Sequence, residues 1–206
     1  MKVVVCGAAG RTGRELVRVA LERGHEVTAL VHDAQGELAP SDRLRVLYAD
    51  VLVRGTLSPA IAGAEAVLWA VGPGSGKAPG LLGPGIANVA AVMRDAGVER
   101  LIALSSSGVG DLKGDPWWRR LFGRSSRTVT AGDHRHMEVA LRQSAVEWTI
   151  VRATKLLDGP ARGGCRVGPG YSLPGSTGVA RADVAAVMLD QLETDVNVGH
   201  AVAVSY

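Results

Sequence analysis

Three glycines spaced G-x-x-G-x-x-G, in Gly7-Ala8-Ala9-Gly10-Arg11-Thr12-Gly13, stand directly after the apolar run at 3–6 and open a stretch of helical period. A strand that turns through glycines into a helix presents bare backbone N–H groups and the positive end of the helix dipole, which together suit an anion. The first glycine allows the tight turn, the second lets a pyrophosphate come against the backbone, and the third lets helix and strand pack closely. In this position the triplet points to dinucleotide binding, against the plainer alternative of an ordinary glycine turn. A second cluster, Gly72-Pro73-Gly74-Ser75-Gly76-Lys77, superficially suggests a triphosphate loop. That motif needs Gly at 71 and Ser or Thr at 78, where the chain has Val71 and Ala78, so a kinase or NTPase is excluded.

Short β-branched runs alternate with longer stretches of helical period along the chain. Strands are predicted at 3–6, 26–31, 44–48, 66–71, 101–105, 148–152 and 201–204, most of them apolar on both faces. Helices are predicted at about 13–23, 56–61, 82–96, 134–144 and 181–192, with Glu138 and Asp183 near helix starts, where a carboxylate complements the dipole. The alternation implies an α/β protein, a Rossmann-like doubly wound parallel sheet with helices on both faces. At 206 residues one domain, 1–206, is the economical expectation. Two irregular segments, about 107–132 and 156–180, follow strand C-termini. Ligands of open α/β sheets lie outside those ends, so these segments are candidate substrate walls, the bland alternative being two disordered insertions.

Composition narrows the classes further. No apolar stretch approaches the roughly 18 to 20 residues of a spanning helix, and the N-terminal apolar run is too short for a signal sequence, so a cytoplasmic location is expected. Cys6 and Cys165 lie far apart without metal-ligand spacing and read as buried filler; no metal site is expected. A net charge of +3 with mixed signs does not imply nucleic acid. With 27 glycines beside one phenylalanine, the core is built from Ala, Val and Leu, and glycine marks tight turns and close approaches.

The choice of nicotinamide cofactor falls at the end of the second strand, in Ala29-Leu30-Val31-His32-Asp33. A cation there accommodates the extra phosphate of NADP, whereas a carboxylate holds the free ribose of NAD. His32 and Arg11 favour NADP (NADPH); Asp33 keeps NAD open.

With these residues in view, the chain resembles the atypical short-chain dehydrogenase/reductases with an NmrA-like, NAD(P)-binding fold, and within them the biliverdin-IXβ reductase/flavin reductase group. The resemblance spans essentially the whole chain. It is carried by Val5 with Cys6 and the glycine loop, Ala49-Asp50-Val51, Leu104-Ser105-Ser106-Ser107, Asp133-His134-Arg135-His136-Met137, Thr149-Ile150-Val151-Arg152 and Arg181-Ala182-Asp183-Val184-Ala185. It implies that Asp50 and Val51 approach the adenine and that Ala70 to Gly74 pass beneath the ribose, with Ala70, Val71 and Gly72 as the candidate contacts. It also implies that the serines after the fifth strand sit beside the nicotinamide. Two departures stand out. The usual Tyr-x-x-x-Lys acid is absent, since none of Tyr48, Tyr171 and Tyr206 has the lysine at the required spacing. The flavin-reductase relatives keep an Asp-His pair matching Asp133-His134, but carry a histidine where this chain has Lys155.

Hydride transfer needs little dedicated machinery, because the nicotinamide performs it and the protein binds, orients and protonates. Ser106, helped by Ser105, is the candidate for a hydrogen bond to the substrate oxygen or the nicotinamide amide. Lys155 or a bound water is the candidate proton source, and His134 ranks behind them. Ser107 and Lys155 are also candidate substrate contacts. Trp117-Trp118, followed by Arg119-Arg120, suit a flat and possibly anionic substrate through stacking, the alternative being a loop anchor or dimer contact. The expected activity is NAD(P)H-dependent reduction of a small planar or carbonyl-bearing molecule such as a flavin, quinone, tetrapyrrole or polyketide. A redox-neutral epimerase or cyclase, and a non-catalytic NADP-binding redox sensor, are the alternatives. The expected partner is a small molecule, with no nucleic acid and no membrane, for a monomer or homodimer.

Overall fold

A computed structural model of the chain describes residues 1–32, 38–72, 80–109, 126–194 and 196–206, with backbone alone for 126–130. The elements run β1 (Lys2–Cys6), α1 (Arg11–Glu22), β2 (Glu26–Val31), β3 (Leu44–Tyr48), α2 (Arg54–Ile61), β4 (Ala66–Trp69), α3 (Leu82–Asp95) and β5 (Arg100–Ser106). After a 3-10 turn (Ser107–Val109) come α4 (Ser126–Arg142), β6 (Glu147–Ala153), β7 (Leu156–Leu157), β8 (Arg166–Pro169), β9 (Val179–Ala180), α5 (Arg181–Glu193) and β10 (Ala201–Ser205).

The main sheet has the order β3-β2-β1-β4-β5-β6-β10-β8. Strand order reverses at β1, which pairs in parallel with β2 on one side and β4 on the other, the switch point where a doubly wound sheet opens a crevice. Period-2 alternation in β1 builds both layers at once. Val3 and Val5 face a core with Leu16, Val17 and Ala20 of α1 and Val184, Met188 and Leu189 of α5. Val4 and Cys6 face Leu57 and Ile61 of α2, Ile86 and Met93 of α3, and Met137 and Leu141 of α4. Burial pushes the Cys6 thiol up to about 12, so it is an inert core group.

Three expectations need correction. The sheet is not wholly parallel: β8 pairs antiparallel with β10, as an edge strand inside the Gly- and Pro-rich segment that reads as loop. Pro169 is tolerated there because an edge strand has a free side. Helix α4 starts at Ser126, eight residues before the apolar period begins, because Ser126, Thr128, Thr130 and Gly132 are weak helix formers that hide it. Glu138 therefore lies deep inside α4 and has no dipole to complement. Cys165 is only partly buried, so the buried-filler expectation holds for Cys6 alone. Among the described residues no helix is long and apolar enough to cross a membrane, and no group of three His, Cys, Asp or Glu could hold a metal ion.

Candidate active site

Parallel strands deliver their C-terminal ends to one rim, and nearly every residue singled out above lies there. The glycine loop joins β1 to α1, His32 follows β2, Asp50 and Val51 follow β3, and Ala70 to Gly72 follow β4. Ser106 ends β5 and Lys155 follows β6, with Ser106 in register with Ala153.

The glycines are dictated by contact. Gly7 has φ +78°, and a Cβ there would lie 2.9 Å from the Ala70 carbonyl and the Val71 Cα. A Cβ on Gly13 would stand 2.0 Å from the Gly7 oxygen. Gly10 is different, because among the described residues a Cβ would meet only that oxygen within 4 Å, at 3.2 Å. The loop is closed by Gly10 N–H donating to the Gly7 carbonyl at 3.0 Å. Helix α1 begins with extended Gly10, no side-chain cap and no acidic residue in its first turn, leaving the N–H groups of Arg11, Thr12 and Gly13 for an anion. A pyrophosphate fits this cradle: bare amides, no protein carboxylate in the turn, and glycine where the backbone must be approached.

Around the rim the groups differ in readiness. Asp50 accepts from Leu52 N–H at 2.8 Å, which shapes the turn after β3. His32 is exposed. Among the described residues the Ser106 hydroxyl accepts one hydrogen bond, from Gly108 N–H at 3.2 Å, and donates none. Ser107 is half-buried in the turn beside it. Lys155 has an exposed side chain with no ion-pair partner among the described residues, while its carbonyl accepts from Val179 N–H and ties β7 to β9. Asp33, Trp117, Trp118, Arg119 and Arg120 lie outside the described residues.

Two candidates have other occupations. The Ser105 hydroxyl is 3 % exposed and donates to Glu138 Oε1 at 2.8 Å. It belongs to a buried cluster in which Arg152 grips both Glu138 oxygens, at 2.9 and 2.6 Å. Arg152 also donates to the Gly170 carbonyl and stacks on the Tyr171 ring, its guanidinium carbon 4.0 Å from the centroid. Burial works to raise the Glu138 pKa, yet the bonds from Arg152 and Ser105 hold it below the usual carboxylate value. Ser105 thus braces the end of β5 against α4. His134 is buried too, and desolvation lowers its pKa against the opposing pull of Asp133 and Glu138, which favours the neutral imidazole; its Nδ1 has no hydrogen-bond partner among the described residues. Its neighbour Asp133 accepts from Leu82 N–H at 3.3 Å and so serves as the cap of α3.

Sequence reasoning missed two constellations. One is the Glu138–Arg152 pair, although Arg152 lies in a quoted motif. A charged residue in an otherwise apolar central strand was the available signal, since such a residue must find a partner. The other is Asp158, which joins Arg11 to Arg181, and a lone Asp in a glycine-rich loop gives no warning of it. Asp183 does lie in the first turn of α5, but its carboxylate is engaged by the N–H groups of Arg162 and Gly163 and by the Tyr206 hydroxyl, pinning the segment after β7.

A doubly wound sheet with an open glycine loop at its switch point defines a dinucleotide-binding Rossmann protein. The chain belongs to the NAD(P)H-binding family, whose sequence profile matches residues 7–195. It is 25% identical over 204 residues to YwnB of Bacillus subtilis, covering 94% of this chain and 92% of that protein. The fold is that of a Veillonella parvula short-chain dehydrogenase/reductase in complex with NADP, with a TM-score of 0.81 and 20% identity over 100% of this chain and 94% of that one. It is also that of ChuY, an anaerobillin reductase from Escherichia coli, with a TM-score of 0.80 and 21% identity over 100% of this chain and 96% of that one.

Proposed function

We propose that the protein is an NADPH-dependent reductase that delivers hydride to a small planar or carbonyl-bearing substrate. The observation that carries this is the shared rim. An uncapped glycine-loop helix start, a Ser106 hydroxyl that donates no hydrogen bond among the described residues and a Lys155 ammonium with no ion-pair partner among them stand at the C-terminal ends of β1, β5 and β6. The bound nicotinamide supplies the hydride. Gly7, Ala9, Gly10, Thr12 and Gly13 receive the pyrophosphate, with His32 and Arg11 as cations for the additional phosphate. Asp50 and Val51 meet the adenine, and Ala70, Val71 and Gly72 lie under the ribose. Ser106 donates to the oxygen on which negative charge develops, Lys155 supplies the proton or balances that charge, and Ser107 lines the same edge. Trp117 and Trp118 are assigned to the substrate wall. Ser105 and neutral His134 act through packing and the α3–α4 contact. The NADP complex of the Veillonella relative and the reductase activity named for ChuY support this reading.

The test is nicotinamide oxidation followed by absorbance, with NADPH and NADH each run against flavins, quinones and biliverdin, alongside thermal shift with either cofactor. Turnover with NADPH and a planar acceptor is expected. Stabilisation by cofactor with no turnover of any acceptor would sink the reductase and leave the sensor or the redox-neutral enzyme. With a turned-over acceptor in hand, the double variant Ser106→Ala/Lys155→Ala is expected to lose about 10²-fold in kcat/KM, the scale of a lost acid–base contact. An unchanged kcat/KM would remove both residues from the mechanism.

A further inference from the structure

Arg11 opens α1 beside the bare amides of the glycine loop, and its guanidinium donates to Asp158 Oδ2 at 3.1 Å. Asp158 arrives from the far end of the chain, just beyond β7, and its other oxygen accepts from Arg181, the first residue of α5. One carboxylate thus bridges guanidiniums from two helix starts. The two bonds are unlike in setting. The Arg11 and Asp158 side chains are 73% and 67% exposed, whereas that of Arg181 is 10% exposed. Arg181 is the fixed post, and Arg11 is the partner that solvent, or an anion, can reach. The two cations also feel each other, for burial and then the charge of Arg11 lower the Arg181 pKa while Asp158 opposes both. Asp158 therefore neutralises a doubly cationic corner at the mouth of an anion cradle.

We propose that Asp158 competes with a cofactor phosphate for Arg11: in the free protein it occupies the guanidinium, and on binding it yields Arg11 to the phosphate while staying on Arg181. This rests on the proposed cofactor site. Exposed ion pairs are weak, and a phosphate at an arginine fork makes shorter, charge-assisted bonds, so the exchange runs toward the phosphate. It also releases the only side-chain bond joining the glycine loop to the segment after β7 among the described residues. Cofactor binding thereby loosens one side of the proposed substrate wall.

Asp158→Asn tests this directly, because an exposed carboxylate can be neutralised without harm to the core. NADPH and NADH are titrated into wild type and variant by nicotinamide fluorescence. The Kd for NADPH is expected to fall about threefold to tenfold in Asp158→Asn at low salt, with the gain shrinking as salt screens it. A gain for NADPH alone places the contested group at the additional phosphate, and an equal gain for NADH places it at the pyrophosphate; either supports the competition. The gain must vanish when Arg11 is already alanine, since the coupling runs through that residue. Unchanged or weaker binding in Asp158→Asn, or an equal gain without Arg11, overturns it. Wild-type protein that binds neither cofactor overturns the cofactor site itself, an outcome that needs no variant to recognise.

Discussion

Gly13→Ala is expected to abolish measurable NADPH binding and to destabilise the protein, whereas Gly10→Ala is expected to lose binding alone. The difference follows from what each new methyl would meet. At Gly13 the backbone is helical and alanine is favoured by propensity, but its Cβ would lie 2.0 Å from the Gly7 oxygen and 2.8 Å from the Ala8 Cα. Neither atom can retreat, because Gly7 is itself wedged 2.9 Å from the Ala70 carbonyl at a φ of +78°. Helix α1 must lift away from β1, straining the layer that holds Leu16, Val17 and Ala20, and such overpacking costs about 3 kcal/mol. At Gly10 the methyl meets only one oxygen at 3.2 Å, so the fold survives. The same methyl then stands where the pyrophosphate must approach the bare amides, and affinity falls by at least about tenfold, or 1.4 kcal/mol. Thermal melts and cofactor titrations on both variants separate the two effects. Gly13→Ala with wild-type melting and wild-type Kd would show that the close helix–strand approach is unnecessary. Normal binding by Gly10→Ala would place the pyrophosphate elsewhere.

That contrast also marks what could be read from residues alone. The glycine triplet was legible because its three positions answer to three separate requirements, and because strand, loop and helix follow in order. The apolar strands were legible for a related reason: a parallel sheet buried on both faces leaves continuous Val, Ile and Leu runs. Legibility ended where a segment is held by partners distant in sequence. The first turns of α4 carry Ser, Thr and Gly with no apolar period, and β8 is an edge strand in a glycine-rich stretch held by β10. Ser105 looked like a site residue because it stands beside Ser106. Alternation along β5 sends their side chains to opposite faces, and a partner from α4 claims the first. Asp158 and Arg11 are 147 residues apart, and no local pattern couples them.

The Glu138–Arg152 pair predicts the other large effect. Both side chains are about 5% exposed or less, and Arg152 bonds both carboxylate oxygens while bracing Tyr171 and the Gly170 carbonyl. Glu138→Gln removes the charge but keeps the shape, leaving a buried guanidinium without its counter-ion. Breaking such a pair from one side costs about 3 kcal/mol, and at this chain length each kcal/mol lowers Tm by about 2–4 °C. Replacing both partners, as in Glu138→Gln/Arg152→Met, is expected to recover part of that loss, since no buried charge is then left alone. The pH dependence follows from the direction of the shift. The folded-state pKa of Glu138 lies below the unfolded value of about 4.3. Its contribution is therefore complete above that value and is lost as pH falls through the lower, folded one. Denaturant unfolding of wild type and Glu138→Gln should show the full difference at neutral pH and a shrinking one below about pH 4, where the wild-type carboxylate takes up the proton that the amide already mimics. A difference independent of pH would mean that Glu138 stabilises the fold by shape and hydrogen bonding rather than by charge. Loss of cofactor turnover at unchanged stability would instead make Ser105, and the strand end it braces, part of the chemistry.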